Sequence, residues 1–433
     1  MPDTPANPPP PAAKPSWRQA VSGNVLAMGL VSLFTDFSSE MMNPLLPVFI
    51  TGLLAPGPDV AARAALFVGL MEGIAETTAA VLKIYSGRIS DRLGRRKLLV
   101  IVGYGLSSLC RPLTAAAANV AQVIALKFAD RVGKGLRTSP RDALIGDSVS
   151  REFRGLAFSF HRAMDHLGAV LGPLVAIGVL YALLGKVVWQ GSTAQPTAEE
   201  MKAMRWLFAF AVVPGLLAML ALIGKVQEVK PAATASVGGA GGAATRSLPR
   251  RFYAFVGVVA LFALGNSSDM FIVFLGWTRF GFGLSEIVAL WVGLHVVKLA
   301  FSLPGGMLSD RIGRRPVIVA GWLVYALIYL GLAFAGSAAV FVGLVLAYGF
   351  YYGMTEGAEK ALVVDFAPAE LRGTAFGIYH GAVGLAALPA SLIFGAVWKF
   401  YGPTAAFGIG AALAGVATLL LLLLLAGSRH RVA

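Results

Sequence analysis

The chain has 433 residues, 57% of them hydrophobic and 13% charged, about half the roughly 25% charge of a soluble domain. That excludes an array of soluble domains, and at ~20 apolar residues per crossing twelve spans with short loops would nearly exhaust the length. The net charge of +14 does not read as nucleic-acid binding, because the basic residues lie in short turns between apolar runs, the positive-inside pattern of a membrane protein.

Residues 1–16 read as a Pro-rich, disordered tail with nothing resembling a cleaved signal. Apolar spans follow at 22–50, 65–87, 97–117, 119–140, 155–184 and 203–224, giving a first six-helix half over 17–224. Residues 225–250, rich in Ala, Gly, Ser and Thr, read as a flexible linker. Spans at 252–279, 284–308, 317–336, 338–364, 373–397 and 403–426 make a second half over 251–433. Cys110 is the lone cysteine, so no intramolecular disulfide or thiolate cluster is expected. His161, His166, His295 and His380 are scattered and do not suggest a metal site.

Taking the N-terminus as internal, about 22 Lys and Arg fall on the cytoplasmic side, among them Arg88, Arg92, Arg137, Arg141, Arg154, Arg311 and Arg372. About six fall opposite: Arg63, Lys186, Lys202, Arg205, Arg279 and Lys399. That asymmetry predicts a multi-pass inner-membrane protein with both termini and the linker cytoplasmic. Trp277, Trp291 and Trp398 near span ends fit interface anchors.

The halves repeat. GRISDRLGRRK (87–97) returns as GMLSDRIGRRP (306–316) at an offset of 219. Arg154-Gly155 returns as Arg372-Gly373, and Asp147 as Asp365, at 218. Ser38-Ser39-Glu40-Met41 is echoed by Ser267-Ser268-Asp269-Met270. A duplicated six-helix unit with parallel halves suits alternating access around a midplane site.

The run Gly87-x-x-Ser90-Asp91-Arg92-x-Gly94-Arg95-Arg96, with its copy ending Asp310-Arg311-x-Gly313-Arg314-Arg315, resembles the doubled G-x-x-x-D-R-x-G-R-R/K loop of the major facilitator superfamily of secondary transporters. The resemblance covers essentially the whole chain. It implies an all-α fold of twelve transmembrane helices in two pseudo-symmetric six-helix bundles, a small-molecule substrate, the proton gradient as driving force and no cofactor, in a lipid-embedded monomer that is not an enzyme. It also implies that the two loops lock the cytoplasmic gate. Asp91 would face the N-terminal end of a neighbouring helix, and Asp147 and Asp365 would meet Arg95 and Arg314. A purely topological role for the loops is the alternative.

In the fourth span Arg131 and Gly135 fit the superfamily's R-x-x-x-G spacing, while counting back from Asp147 selects Lys127 instead. The Gly133-Lys134-Gly135 stretch lacks the Ser or Thr of a phosphate loop. Gly168-x-x-x-Gly172-Pro173 in the fifth span resembles the core of the exporters' motif, although Ala176-Ile177 replace the paired glycines expected after it. Close helix packing by small residues explains it equally well.

A charge at the bilayer centre costs at least ~2.5–3.5 kcal/mol, so such residues are usually paired, cavity-facing and functional. Asp36 and Glu40 share a face of the first span, and Glu72 and Glu76 repeat that spacing in the second. Asp165, Asp269, His295 and Glu356 lie in later spans. With Arg131 they are the candidates for proton coupling or substrate contact, static ion pairs being the alternative. Desolvation favours the protonated carboxyl, which makes Asp36, Glu72, Glu76 and Asp165 plausible proton carriers.

These features predict a proton-coupled transporter of a small polar or charged solute, leaning to export by solute:proton antiport. Uptake of a charged metabolite or metallophore is the alternative within that class, and a transport-dead sensor or scaffold the alternative outside it. No HExxH or GxSxG element supports an enzyme.

Overall fold

The computed structural model describes residues 21–185, 195–229 and 247–426, apart from positions 22, 58 and 268. The proposed tail, most of the linker and Lys186 lie outside the described residues. Every regular element among the described residues is helical. In chain order they are α1 (Gly23–Glu40), α2 (Leu46–Leu53), α3 (Val60–Leu93), α4 (Arg96–Leu113), α5 (Val120–Asp147), α6 (Arg154–Leu184) and α7 (Ala198–Phe210). Then come α8 (Val212–Lys225), α9 (Arg250–Gly265), α10 (Met270–Phe280), α11 (Leu284–Ile312), α12 (Arg314–Ala333), α13 (Ala338–Phe366) and α14 (Arg372–Ala426).

Among the described residues, nine helices are long and apolar enough to cross a membrane by length and composition. Two more of similar length, α3 and α5, fail that test because they carry the charges discussed below. The rod over 372–426 is broken at Gly402, whose φ of 83° and ψ of 173° are not helical. Pro44 and Pro47 similarly interrupt the first rod between α1 and α2, since proline cannot donate the backbone hydrogen bond.

Burial is inverted relative to a water-soluble protein. Leu66, Leu220, Leu392 and Phe400 are more than 60% exposed, whereas Arg96, Asp142 and Lys298 are buried. Apolar surface outside and charge inside is the arrangement lipid solvation favours, because only satisfied or cavity-facing polar groups are tolerated at membrane depth. Aromatic packing fills the second half, with Phe262 stacked on Trp322 at 4.2 Å and Tyr325 on Tyr329 at 4.3 Å.

The halves meet along two matched crossings, α3 against α14 and α6 against α11, with α6 also touching α13. Glycine makes the approach possible: a Cβ on Gly87 would strike the carbonyl of Gly373, and one on Gly306 would lie 2.7 Å from the Gly155 oxygen. These contacts cluster at one end of the rods, from Ala80 to Asp91 on α3. Away from that end, α2 packs mainly on first-half helices.

Candidate functional site

At the closed end, the two repeated loops hold the halves together by exchanged caps. The Asp91 carboxylate accepts from Gly373 N (3.0 Å), Thr374 N (2.6 Å) and Thr374 Oγ1 (2.8 Å) at the start of α14. Asp310 accepts from Gly155 N (2.9 Å) and Leu156 N (2.8 Å) at the start of α6. Each acid thus satisfies orphan amides at a helix N-terminus in the other half, where the dipole also favours negative charge. Beside the caps, Arg96 pairs with Asp91 (3.2 Å) and Asp147, and Arg372 pairs with Asp147. Arg314 pairs with Asp310 (3.2 Å) and Asp365 (2.8 Å), and Arg154 with Asp365 (2.8 Å).

The sequence reading put Arg95 in this network, and the structure replaces it with Arg96. In the first loop Gly94 (φ 62°) and Arg95 separate α3 from α4. In the second, Gly313 (φ 95°) alone separates α11 from α12. The extra residue turns Arg95 out to solvent and makes Arg96 the counterpart of Arg314, which is why the repeat offset falls from 219 to 218 there. Both glycines occupy the positive-φ region that other residues disfavour. Arg92 and Arg311 are exposed and join no described ion pair.

Above this closed end lies a cavity of about 520 Å³ between the halves, within the ~300–1,000 Å³ of small-molecule sites. Eight Lys and Arg and five Asp and Glu line it. Of the predicted residues, Asp36, Glu40, Arg131, Asp165 and Glu356 are on its wall. Arg162 forks onto Glu356 across the halves (2.8 and 2.9 Å) and also holds Asp165 (2.6 Å). Asp165 further accepts from Ser32. A second bridge joins Asp142 to Lys360 (3.0 Å) and His380 (2.8 Å). By contrast, the Asp36 carboxylate has no hydrogen bond or ion pair among the described residues.

Glu72, Glu76, Asp269 and His295 are not on the cavity wall. Glu72 pairs with Lys127 (3.1 Å) and Glu76 with Arg131 (3.4 Å) and Lys134 (3.6 Å), their side chains 43% and 52% exposed rather than buried as expected. Asp269 accepts from the Tyr348 hydroxyl (2.7 Å), and His295 Nδ1 lies 3.0 Å from the Trp291 carbonyl. Gly168 and Gly172 let α6 touch the α1 backbone: a Cβ on Gly168 would be 2.6 Å from the Leu33 oxygen, and one on Gly172 2.8 Å from Met41 N. Pro173 follows on α6 and is buried.

Sequence reasoning places Lys83, Arg131, Arg162 and Lys360 inside the membrane but not Arg137 and Arg141. The sequence reads Arg137 and Arg141 as cytoplasmic charges around a span end at 140, whereas α5 continues to Asp147 and carries both inside. Arg131, Lys134, Arg137 and Arg141 fall at helical spacing on that continuous rod, the signal that identifies them. Lys83 and Arg137 face the cavity without a described ion pair. Arg137 bonds the Ser107 hydroxyl (2.5 Å) and lies 4.4 Å from the Tyr104 ring centre.

The family model described as Major Facilitator Superfamily matches residues 28–296 and 257–432. The chain belongs to the Major Facilitator Superfamily. An uncharacterised MFS-type transporter of Methanocaldococcus jannaschii is 31% identical over 407 residues, covering 93% of this chain and 95% of that one. The 3-(3-hydroxy-phenyl)propionate transporter of Escherichia coli is 24% identical, covering 78% and 80%. Among solved structures, the superfamily transporter FucP in the outward conformation aligns with a TM-score of 0.73 at 14% identity, covering 94% and 99%. The chain is therefore a membrane transporter of superfamily fold for a small-molecule substrate.

Proposed function

We propose that this superfamily transporter carries a small organic anion by alternating access, coupled to a proton and in the direction of export. The observation behind the substrate class is the cavity wall, on which eight cations face five carboxylates and Lys83 and Arg137 stay unpaired. An anion entering such a site replaces lost hydration with charge-assisted hydrogen bonds. The Escherichia coli 3-(3-hydroxy-phenyl)propionate transporter, named for an organic acid, supports the same class. Export rests on the Gly168–Pro173 element, and proton coupling on the open Asp36 carboxylate.

Protein in liposomes should exchange labelled organic carboxylates against internal unlabelled ones, and Lys83→Gln should slow that exchange about tenfold, the loss of one charge-assisted contact of ~1.5 kcal/mol. Preferential exchange of cations or neutral solutes would count against the reading. Everted and right-side-out vesicles, compared for pH-driven accumulation, separate export from uptake.

The charge asymmetry supports a further part of the proposal: the Asp91 and Asp310 loops face the cytoplasm of an inner membrane, so the form described is closed inside and open outside. Reporter fusions at either terminus should be active only in the cytoplasm. An externally active terminus would reverse the orientation.

A further inference from the structure

The cavity is two-faced. Seven of its eight cations, all but Lys360, come from first-half helices, together with Asp36, Glu40 and Asp165. The second-half wall supplies Glu356, Glu359, Lys360 and His380 with Asn266 and Thr355, and it carries four rings, Phe262, Tyr351, Tyr352 and Tyr379. Tyr104 is the aromatic ring the first half contributes.

The polar groups on the aromatic wall are largely committed. Glu359 accepts from Trp322 Nε1 (2.7 Å) and from the Tyr379 hydroxyl (2.9 Å), and Glu356 is held by Arg162 and lies 3.2 Å from His166 Nε2. The Tyr352 hydroxyl accepts from Asn266 (3.2 Å) and Tyr348 (3.3 Å). Tyr351 packs 5.0 Å from the Tyr325 ring and 6.1 Å from Phe262. These rings are fixed by their neighbours before any ligand arrives, so packing a planar group on them costs little ordering entropy.

Opposite, Lys83 and Arg137 are on neighbouring rods: the Lys83 carbonyl accepts from Ser139 Oγ at 2.9 Å, two residues along α5 from Arg137. Arg162 is not free to join them, because its fork is closed on Glu356. A ligand that satisfies both walls needs an anionic group at one end and a ring at the other.

We propose that the transported anion is aromatic and binds in one orientation, its ring on Tyr351 and Tyr352 of the second half and its charged group on Lys83 and Arg137 of the first. This rests on the organic-anion reading and adds the body of the substrate and the side chains that select it. A neutral sugar leaves the two cations without a counter-charge, and a short aliphatic acid leaves the aromatic wall uncovered. Bound this way, the substrate touches both halves at once.

Binding of three probes to the full-length protein in nanodiscs tests it: phenylacetate, hexanoate and 2-phenylethanol. Phenylacetate should bind roughly fivefold tighter than hexanoate, the scale of an aromatic pair, and about tenfold or more tighter than the uncharged alcohol, the scale of a charge-assisted hydrogen bond. Tyr351→Leu or Tyr352→Leu should erase the first ratio while keeping the second. Lys83→Gln or Arg137→Gln should erase the second and keep the first, a crossed pattern that general destabilisation does not produce. The wild-type ratios decide the matter even if a variant fails to fold. Equal binding of both acids overturns the orientation and leaves the anion reading standing. Binding of the alcohol without either acid overturns both.

Discussion

Arg96→Gln should slow solute exchange about a hundredfold or more, while Arg95→Gln, one residue away, stays within about twofold of wild type. Arg96 is 2% exposed and joins Asp91 and Asp147 beside the helix cap on α14. Removing one partner from a buried pair costs ~3–5 kcal/mol because the remaining charge is stranded, and 1.4 kcal/mol is about a factor of ten. Arg96 donates to the Ala369 carbonyl of the other half (3.2 Å) and holds Asp91 and Asp147, which bond across to α14, so the loss falls mainly on the closed form, whose surfaces must part when that end opens. A transporter that cannot reach one of its two states turns over slowly even when its site is intact, so substrate affinity should move far less than rate. Arg95 is exposed, and surface changes of that kind are worth about 0.5 kcal/mol or less. Asp91→Asn should act like Arg96→Gln and more strongly than Asp310→Asn, because Asp91 makes three hydrogen bonds across the halves and Asp310 two. Exchange rates in proteoliposomes, paired with equilibrium binding, check all four variants. Loss of activity in Arg95→Gln with Arg96→Gln intact would refute the placement of the one-residue insertion.

Asp36→Asn should abolish accumulation driven by a pH gradient, by at least about tenfold, while leaving substrate counterflow in place. Two acids of the first half line the cavity, and the structure treats them differently. Asp165 is held by Arg162 and Ser32, whereas Asp36 faces the cavity with no described partner. A partnered carboxylate is kept ionised by its cation, while an unpartnered one responds to changes in its own solvation. As the cavity closes around it, Asp36 loses hydration with no described partner to replace it. Asparagine keeps the shape and fixes the neutral form, so coupling is lost without loss of the pathway. Glu40→Gln should be milder, because Glu40 already accepts from Asn43 (3.0 Å), which in turn binds Lys127 (2.9 Å). Gradient-driven transport by Asp36→Asn at the wild-type rate would move the proton site elsewhere.

Much of the architecture follows from the sequence alone. The apolar runs set the rods, because a backbone in lipid must satisfy its hydrogen bonds within itself. Repeated motifs set the halves and the correspondence of Asp147 with Asp365, and an acid three residues before Gly-Arg at a helix end foretells the cap that Asp91 provides. The boundary at 140 failed because hydropathy stops where charge begins, yet α5 runs on to Asp147 with its charges turned inward. Only the tertiary structure decided which of two adjacent arginines is buried, since one inserted residue in a glycine turn redirects the chain by an amount no periodicity records. It alone also separated Asp36 from Asp165, and Lys83 and Arg137 from the paired cations around them. Whether a charge is matched depends on groups brought from rods far apart in sequence, at distances of a few ångströms over which Coulomb energies in a low-dielectric interior change steeply.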